Sequence, residues 1–197
     1  MLLRNYDNIM VVNTAIGKAT GDNIQTGTDF TDGILNVKPL TGIVGAITQN
    51  DTGDRAIPFA QMQSSLSNTA GYSWFVVGSG TTPATYDDYK LENPFTTQIS
   101  WDANSWLLSN FLYDQENNIF LRTGSYSFQA KQDITIGEIG IIYNMGTNDN
   151  LRYLVYHKVL ETPISVAAGQ YCRASLTTTT YANSNKPVDY QASISIE

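Results

Sequence analysis

The sequence predicts an all-β protein, an antiparallel β-sandwich of jelly-roll-like character with an extended N-terminal arm. Three observations predict it. Apolar runs of strand length recur at about ten-residue spacing from Tyr72 onward, turn residues separate them, and no stretch sustains a helical repeat.

The pattern divides the chain into two regions. Residues 1–70 form the arm: "ATGDNIQTGTDFTDG", "QNDTGD" and "SLSNTAG" are dense in turn chemistry. Short strands fit there only at Gly33 to Leu40 and Ile43 to Thr48, and "RAIPFAQMQSSLSN" has room for a helical turn or two after Pro58. Residues 71–197 form the sandwich domain. It opens on "YSWFVVGSG", a compact apolar run ending in glycines, followed by "TTQISW". "SWLLSNFLY" reads as a strand, although Trp106 to Leu112 also has helix-compatible spacing. In "NIFLRTGSYSFQA", Tyr126, Phe128 and Ala130 face one way and Ser125, Ser127 and Gln129 the other. "ITIGEIGIIY" comes after the turn at "KQD", and "LRYLVYHKVL" after "MGTNDN". "PISVAAGQ" then turns into "YCRASLTTTT", where Cys172, Ala174 and Leu176 point inward. The last strand, "VDYQASISIE", alternates from Val188 to Ile196.

The strands at 134–143 and 151–160 break the one-apolar-face rule of a two-sheet core. Simple alternation puts Ile134, Ile136, Glu138, Gly140 and Ile142 on one face, with Thr135, Gly137, Ile139, Ile141 and Tyr143 opposite. Both faces are apolar, so both need cover, from the arm or from a neighbouring subunit. The expectation is a neighbour. Its contact residues are then Ile134, Ile136, Glu138, Gly140 and Ile142 on one strand and Tyr153, Val155 and His157 on the next. A carboxylate on a covered strand must be paired. Arg122, Arg152 and Arg173, in flanking strands, are the candidate partners, and the glycines beside Glu138 let another backbone or ring come close. A Glu138→Ala change is therefore expected to impair assembly more than folding.

Composition narrows the function. A net charge of -7, with 11 basic residues dispersed along the chain, leaves no broad phosphate-binding surface, so no nucleic acid is expected as partner. No window approaches a membrane span, and "MLLRNYDNIM" is not a signal peptide. The single cysteine, Cys172, permits no internal disulfide and reads as a buried inert thiol. The single histidine, His157, lies in an apolar-rich strand and reads as structural, because a triad needs a base serving a nucleophile. "GSGTTPAT" lacks the Lys-Ser/Thr ending of a phosphate loop. Asp29 to Gly33 and Asn50 to Asp54 are fragments of a calcium loop without its terminal glutamate, and read as Asx turns; a calcium ion there stays open. Glu92, Asp102, Glu116 and Glu138 form no recognisable catalytic pair. No catalytic, cofactor-binding or metal residue is assigned, and a hydrolase is disfavoured. Three tryptophans and 12 tyrosines keep a carbohydrate-binding module of a host-recognition fibre as the alternative, although cores and interfaces use the same residues.

Three segments in order carry a family likeness. Gly78, Gly80, Thr81, Thr82, Asp88 and Leu91 fill a G-x-G-T-T…D-x-x-L segment; Ile136, Glu138, Ile139 and Gly140 fill an I-x-E-I/V-G strand; Pro163, Ile164, Val166 and Gly169 fill a P-I-x-V-x-x-G turn. Over roughly Val76 to Thr180 the chain resembles small structural proteins of tailed bacteriophage virions, and "LLRNYDN" resembles their start. The resemblance implies an all-β virion component without catalytic residues or cofactors. Its partners would be itself, as a homo-oligomer, and other virion proteins of the capsid, neck or tail, assembled in the host cytoplasm.

Overall fold

The computed structural model describes residues 1–6, 40–42, 72–102, 105, 107–144, 152–181 and 189–197. The chain is all-β. Among the described residues the strands are β1 (Tyr72–Gly78), β2 (Ile99–Trp101), β3 (Leu107–Asp114), β4 (Ile119–Ala130), β5 (Ile134–Asn144), β6 (Arg152–Val166), β7 (Tyr171–Tyr181) and β8 (Asp189–Ile196). They form two antiparallel sheets, β1-β5-β6 and β2-β4-β7-β8, with β3 also paired to β4. Leu107 to Tyr113 of "SWLLSNFLY" is thus resolved in favour of strand. The suggested strands at Gly33 to Leu40 and Ile43 to Thr48, the helical turns after Pro58 and the two Asx loops lie outside the described residues, Leu40 excepted.

One core lies between the sheets. Phe75, Val77, Ile139, Ile141 and Val155 of the smaller sheet meet Tyr126, Phe128, Cys172, Ala174 and Leu176 of the larger. Trp101 crosses the gap, stacked on Phe75 (6.4 Å, 18°) and tilted on Phe128 at 4.9 Å. Cys172 is fully buried, and burial pushes its thiol pKa up. The expected inward set of β7 is therefore correct. The serine face of β4 is covered too: Ser127 Oγ donates to Glu197 Oε2 (2.8 Å), and Ser105 Oγ accepts from the Ser127 amide (2.7 Å).

Simple alternation fails in β5 and β6, and bulges are the cause. Opposite Gly137 the register jumps from Ile136↔Ile164 to Glu138↔Val159, so residues 160–163 leave the ladder. Pro163, which has no N–H to give, sits in that excursion. Ile136 and Ile139 consequently enter the same core although three residues apart. A second shift, between Ile141↔Tyr156 and Ile142↔Leu154, inserts Val155 as an extra residue. Val155 and Tyr156 both join the core, while Leu154 packs with Ile142, Leu3 and Leu91 in a second cluster. A bulge re-aims the side chains beyond it. Here it puts His157 beside Glu138 rather than in line with Tyr153 and Val155.

Parts of three strand edges are met by the chain itself. Leu2 bridges Tyr156, and the Leu3 amide donates to Val155 O (3.0 Å), which adds a short fourth strip to the smaller sheet. Along β1, the Ser79 amide donates to Asn93 O and the Phe95 amide to Val77 O. In mid-β8 the Ala192 amide donates to Tyr156 Oη (3.3 Å), and Lys158 Nζ donates to Ala192 O (3.0 Å). Such closures deny another chain a free ladder.

Replacing Phe128 by Ala should remove about 3–5 kcal/mol of stability in urea unfolding, the range for a buried phenylalanine. Ser100→Ala, at an exposed position, should stay within about 0.5 kcal/mol.

Candidate functional site

The most unusual group in the molecule is the Glu138 carboxylate, fully buried on the outer side of the smaller sheet. Burying a charge is costly unless protein replaces its water. The replacement comes from residues 79–94, the loop after β1. Oε1 accepts from the amides of Gly80 (3.1 Å) and Asn93 (2.8 Å). Oε2 accepts from the Glu92 amide (3.0 Å) and lies 3.1 Å from His157 Nε2. His157 Nδ1 in turn lies 2.7 Å from Asp88 Oδ2. Two strands and one loop thus meet on an Asp88–His157–Glu138 row.

The sequence of the loop explains how it gets so close. A Cβ on Gly80 would fall 2.6 Å from Glu138 Oε1, and one on Gly137 would run into the Gly80 carbonyl. Only glycine lets those two backbones meet over the carboxylate. The loop is stiffened by its own acids. Glu92 accepts from the Thr81 and Thr82 amides and from Thr82 Oγ1, and Asp88 accepts from the Thr85 amide and Thr85 Oγ1. Leu91, 2% exposed, closes over Gly140 and Leu154.

Burial by itself would raise the Glu138 pKa, but the hydrogen bonds from His157 and the three amides outweigh it and hold the group below 4.5. Burial likewise works to lower the His157 pKa, and the two flanking carboxylates overcome it, raising the group above 6.5. Asp88 is held below 3.8: its desolvation is outweighed by the Thr85 and His157 bonds. Below the raised His157 value the row is carboxylate, imidazolium, carboxylate, with both ring nitrogens donating. A general base needs a free lone pair aimed at a substrate. His157 offers none in this state, which makes the row a clamp. An open depression of about 270 Å³ lies beside it, lined by Thr85, Asp88, Tyr89 and His157 among others. Among the described residues no three His, Cys, Asp or Glu side chains are grouped as a metal site.

All eight residues expected to touch a neighbour are buried inside the single chain. Ile134, Ile136, Tyr153 and Val155 belong to the inter-sheet core, and Ile142 to the second cluster under Leu3 and Leu91. Gly140 lies beneath Leu91, and Glu138 and His157 form the clamp. The cover over the second face is residues 1–6 and 79–94 of the same chain, so these eight present no surface to a partner. Glu138 is also paired differently from expectation: His157 is its partner, while Arg173 bridges Glu197 and Arg152 lies over the Trp74 ring. The expected close approach of another backbone to the β5 glycines is observed, within the chain. His157 is buried, in keeping with its apolar-rich strand, and its two acidic contacts are additional to what that context indicates. Asp88 and Leu91, missed as site residues, stood in the G-x-G-T-T…D-x-x-L segment, and Glu92 directly follows it; no local pattern reveals the contact of this stretch with the Glu138 strand.

No family model matches the chain, and no curated protein or solved structure shows significant similarity to it.

Because every Glu138 partner is intramolecular, Glu138→Ala should destabilise the isolated chain by about 3–5 kcal/mol, the usual cost of breaking a buried ion pair. This reverses the expectation that assembly would suffer first; unfolding of the dilute, unassembled variant measures it. Stability should also be bell-shaped in pH. The His157 contribution is complete below 6.5 and is lost as pH rises through its raised value. The Glu138 and Asp88 contributions are complete above 4.5 and 3.8 and are lost as pH falls through their lowered values. Urea midpoints should therefore peak between 4.5 and 6.5, and His157→Gln should flatten the alkaline limb.

Proposed function

We propose that the chain is a structural subunit of a tailed bacteriophage virion, a jelly-roll-like β-sandwich with an N-terminal arm over 1–70. It acts as an oligomeric accessory or decoration protein on the capsid, neck or tail, with no catalytic step. The observation that carries the reading is the apolar surface at the far end of the larger sheet. There β4 and β7 run past the core: Gly124 to Phe128 are buried, but Ile119 to Thr123 and Thr177 to Tyr181 are partly or fully exposed. β3 lies along this extension, and Leu107 (50% exposed) and Leu112 (56%) occupy one face. Tyr113 and Phe120, register partners whose ring centroids are 5.9 Å apart, occupy the other. Exposed apolar side chains on both sides of this extension support a surface completed by other protein. Association in this reading runs through these side chains, and a stable contact needs about 1,200–2,000 Å² in total.

The family likeness supports the same reading, because its first two segments are the ones the clamp joins. A glycan platform on Tyr113 and Phe120 is the weaker alternative: the rings are inclined by 37°, whereas stacking on a sugar calls for a flatter face.

Native mass spectrometry of the purified chain should give an oligomer. The double change Leu112→Asp with Phe120→Asp should give a monomer with unaltered circular dichroism, and proteomics of purified phage particles should find the chain. A wild-type monomer that is absent from particles and binds glycans through Tyr113 would overturn the assignment.

A further inference from the structure

The clamp holds more than a carboxylate. The turn carrying Asp88 also carries Tyr86 and Asp87. Tyr86 O accepts from the Arg4 amide (2.9 Å), and Asp87 Oδ1 accepts from Arg4 Nε (2.5 Å). Residues 1–6 therefore lie over β6 with one side on the strand and the other on this turn. Beneath them Leu3, fully buried, and Leu91 seal Ile142 and Leu154 from water. We propose that the proton on His157 decides whether the 85–91 turn, and residues 1–6 with it, is docked on the outer face of the smaller sheet.

The charges around the ring make the two states unequal. From β5 it meets Glu138, and from the loop Asp88; Glu92 is committed to the Thr81 and Thr82 amides. From the N-terminal segment the Met1 nitrogen sits on the His157 carbonyl (2.6 Å) and Arg4 on Asp87, while Lys158 of β6 points to Ala192 across the core. As an imidazolium the ring donates to both carboxylates. As a neutral imidazole it keeps one N–H, and its other nitrogen sets a lone pair against an anion. Glu138 has no exposure and three fixed amide donors, so it has nowhere to go. The Asp88 side chain is 23% exposed and borders the open depression, and its other bonds come from Thr85 of the same turn, so carboxylate and turn can swing toward water together. The remaining N–H stays with Glu138, and the Asp88 contact is the one that opens. With it go the anchor of the turn and the far-side support of residues 1–6.

Amide-exchange NMR on the intact chain across the His157 titration, tracked by the ring's own carbon shifts, tests this. The protection factors of the Leu3 and Arg4 amides should fall tenfold or more as His157 loses its proton. The Gly80 and Asn93 amides, held by Glu138, should keep theirs, and so should Ile141 in the core. Asp88→Asn offers the neutral ring an uncharged partner, so the fall should shrink to less than threefold. His157→Gln, which does not titrate, should abolish it. The proposal is overturned if Leu3 and Arg4 stay protected through the wild-type titration, or if Gly80 and Asn93 open together with them. It is also overturned if the fall survives in Asp88→Asn, the variant that decides should His157→Gln fail to fold.

Discussion

A carboxylate removed from water must be solvated by protein, and that requirement on Glu138 organises half of the molecule. Leaving an isolated ion dry costs several kcal/mol even after relaxation. Four donors are needed to offset this, and three are backbone amides of Gly80, Glu92 and Asn93. Residues 79–94 can supply them only by folding back across the smaller sheet. In doing so they lie along the free edge of β1, bring Leu91 down on Gly140 and set the Asp88 turn against His157. The N-terminal residues then find a finished slot. Packing on the outer face thus originates in an electrostatic demand, and the apolar contacts of Leu3 and Leu91 complete what the charge begins.

Closed edges give the molecule a particular kind of surface. Ladder donors and acceptors along β1, along β6 near Tyr156 and in mid-β8 are used internally. β3 is interrupted by a register shift between Ser109 and Leu112, a device that blunts an edge. At its turn, Asp114 accepts from the Glu116 and Asn117 amides, and Asn118 takes the left-handed conformation (φ 53°) that asparagine tolerates. Strand addition at these places is therefore disfavoured, and the exposed apolar side chains of this sheet, Leu112 and Phe120 among them, lie apart from the closed edges. Side-chain contact has a defined geometry, whereas open edges pair in many registers.

Much of the fold was legible because strand length, turn residues and one-sided alternation are local properties. β7 displays them in full, with Cys172, Ala174 and Leu176 inside and Arg173 and Ser175 at the border. β5 and β6 were legible as strands but not as faces. Period-two reading assumes an unbroken ladder, and the excursion at residues 160–163 and the extra residue at Val155 shift its phase. Hence, of Tyr153, Val155 and His157, which simple alternation aligns, the first two share the inter-sheet core and His157 turns to the outer side. The need for cover on both sides was also legible, since isoleucine stands on both faces of β5. Its source was legible only in part: the N-terminal arm, to which residues 1–6 belong, was one of the two covers considered, but residues 79–94 carry too little apolar periodicity to be recognised as a lid. For Glu138 the sequence demanded a partner, and nearby arginines were natural choices. A histidine became available only through the bulge that turned it.

The same two-sidedness explains why the clamp is ionic when an apolar plug would cost less. Hydrophobic burial fixes strand register where one face is apolar and the other polar, since a one-residue slip then exposes the core. In β5 that signal is weak, because isoleucines fall on either side of such a slip. Glu138 restores it. Displaced by one residue against β1, its carboxylate would face the inter-sheet core among Phe75 and Val77, and the Gly80, Glu92 and Asn93 amides would lose their acceptor. The uncompensated charge costs far more than any isoleucine contact regained. A buried ion pair adds little net stability to the correct arrangement, but it sets a steep penalty on the neighbouring wrong one. In a strand that hydrophobicity leaves ambiguous, that penalty selects the register in which the loop, the turn and the N-terminal residues all fit.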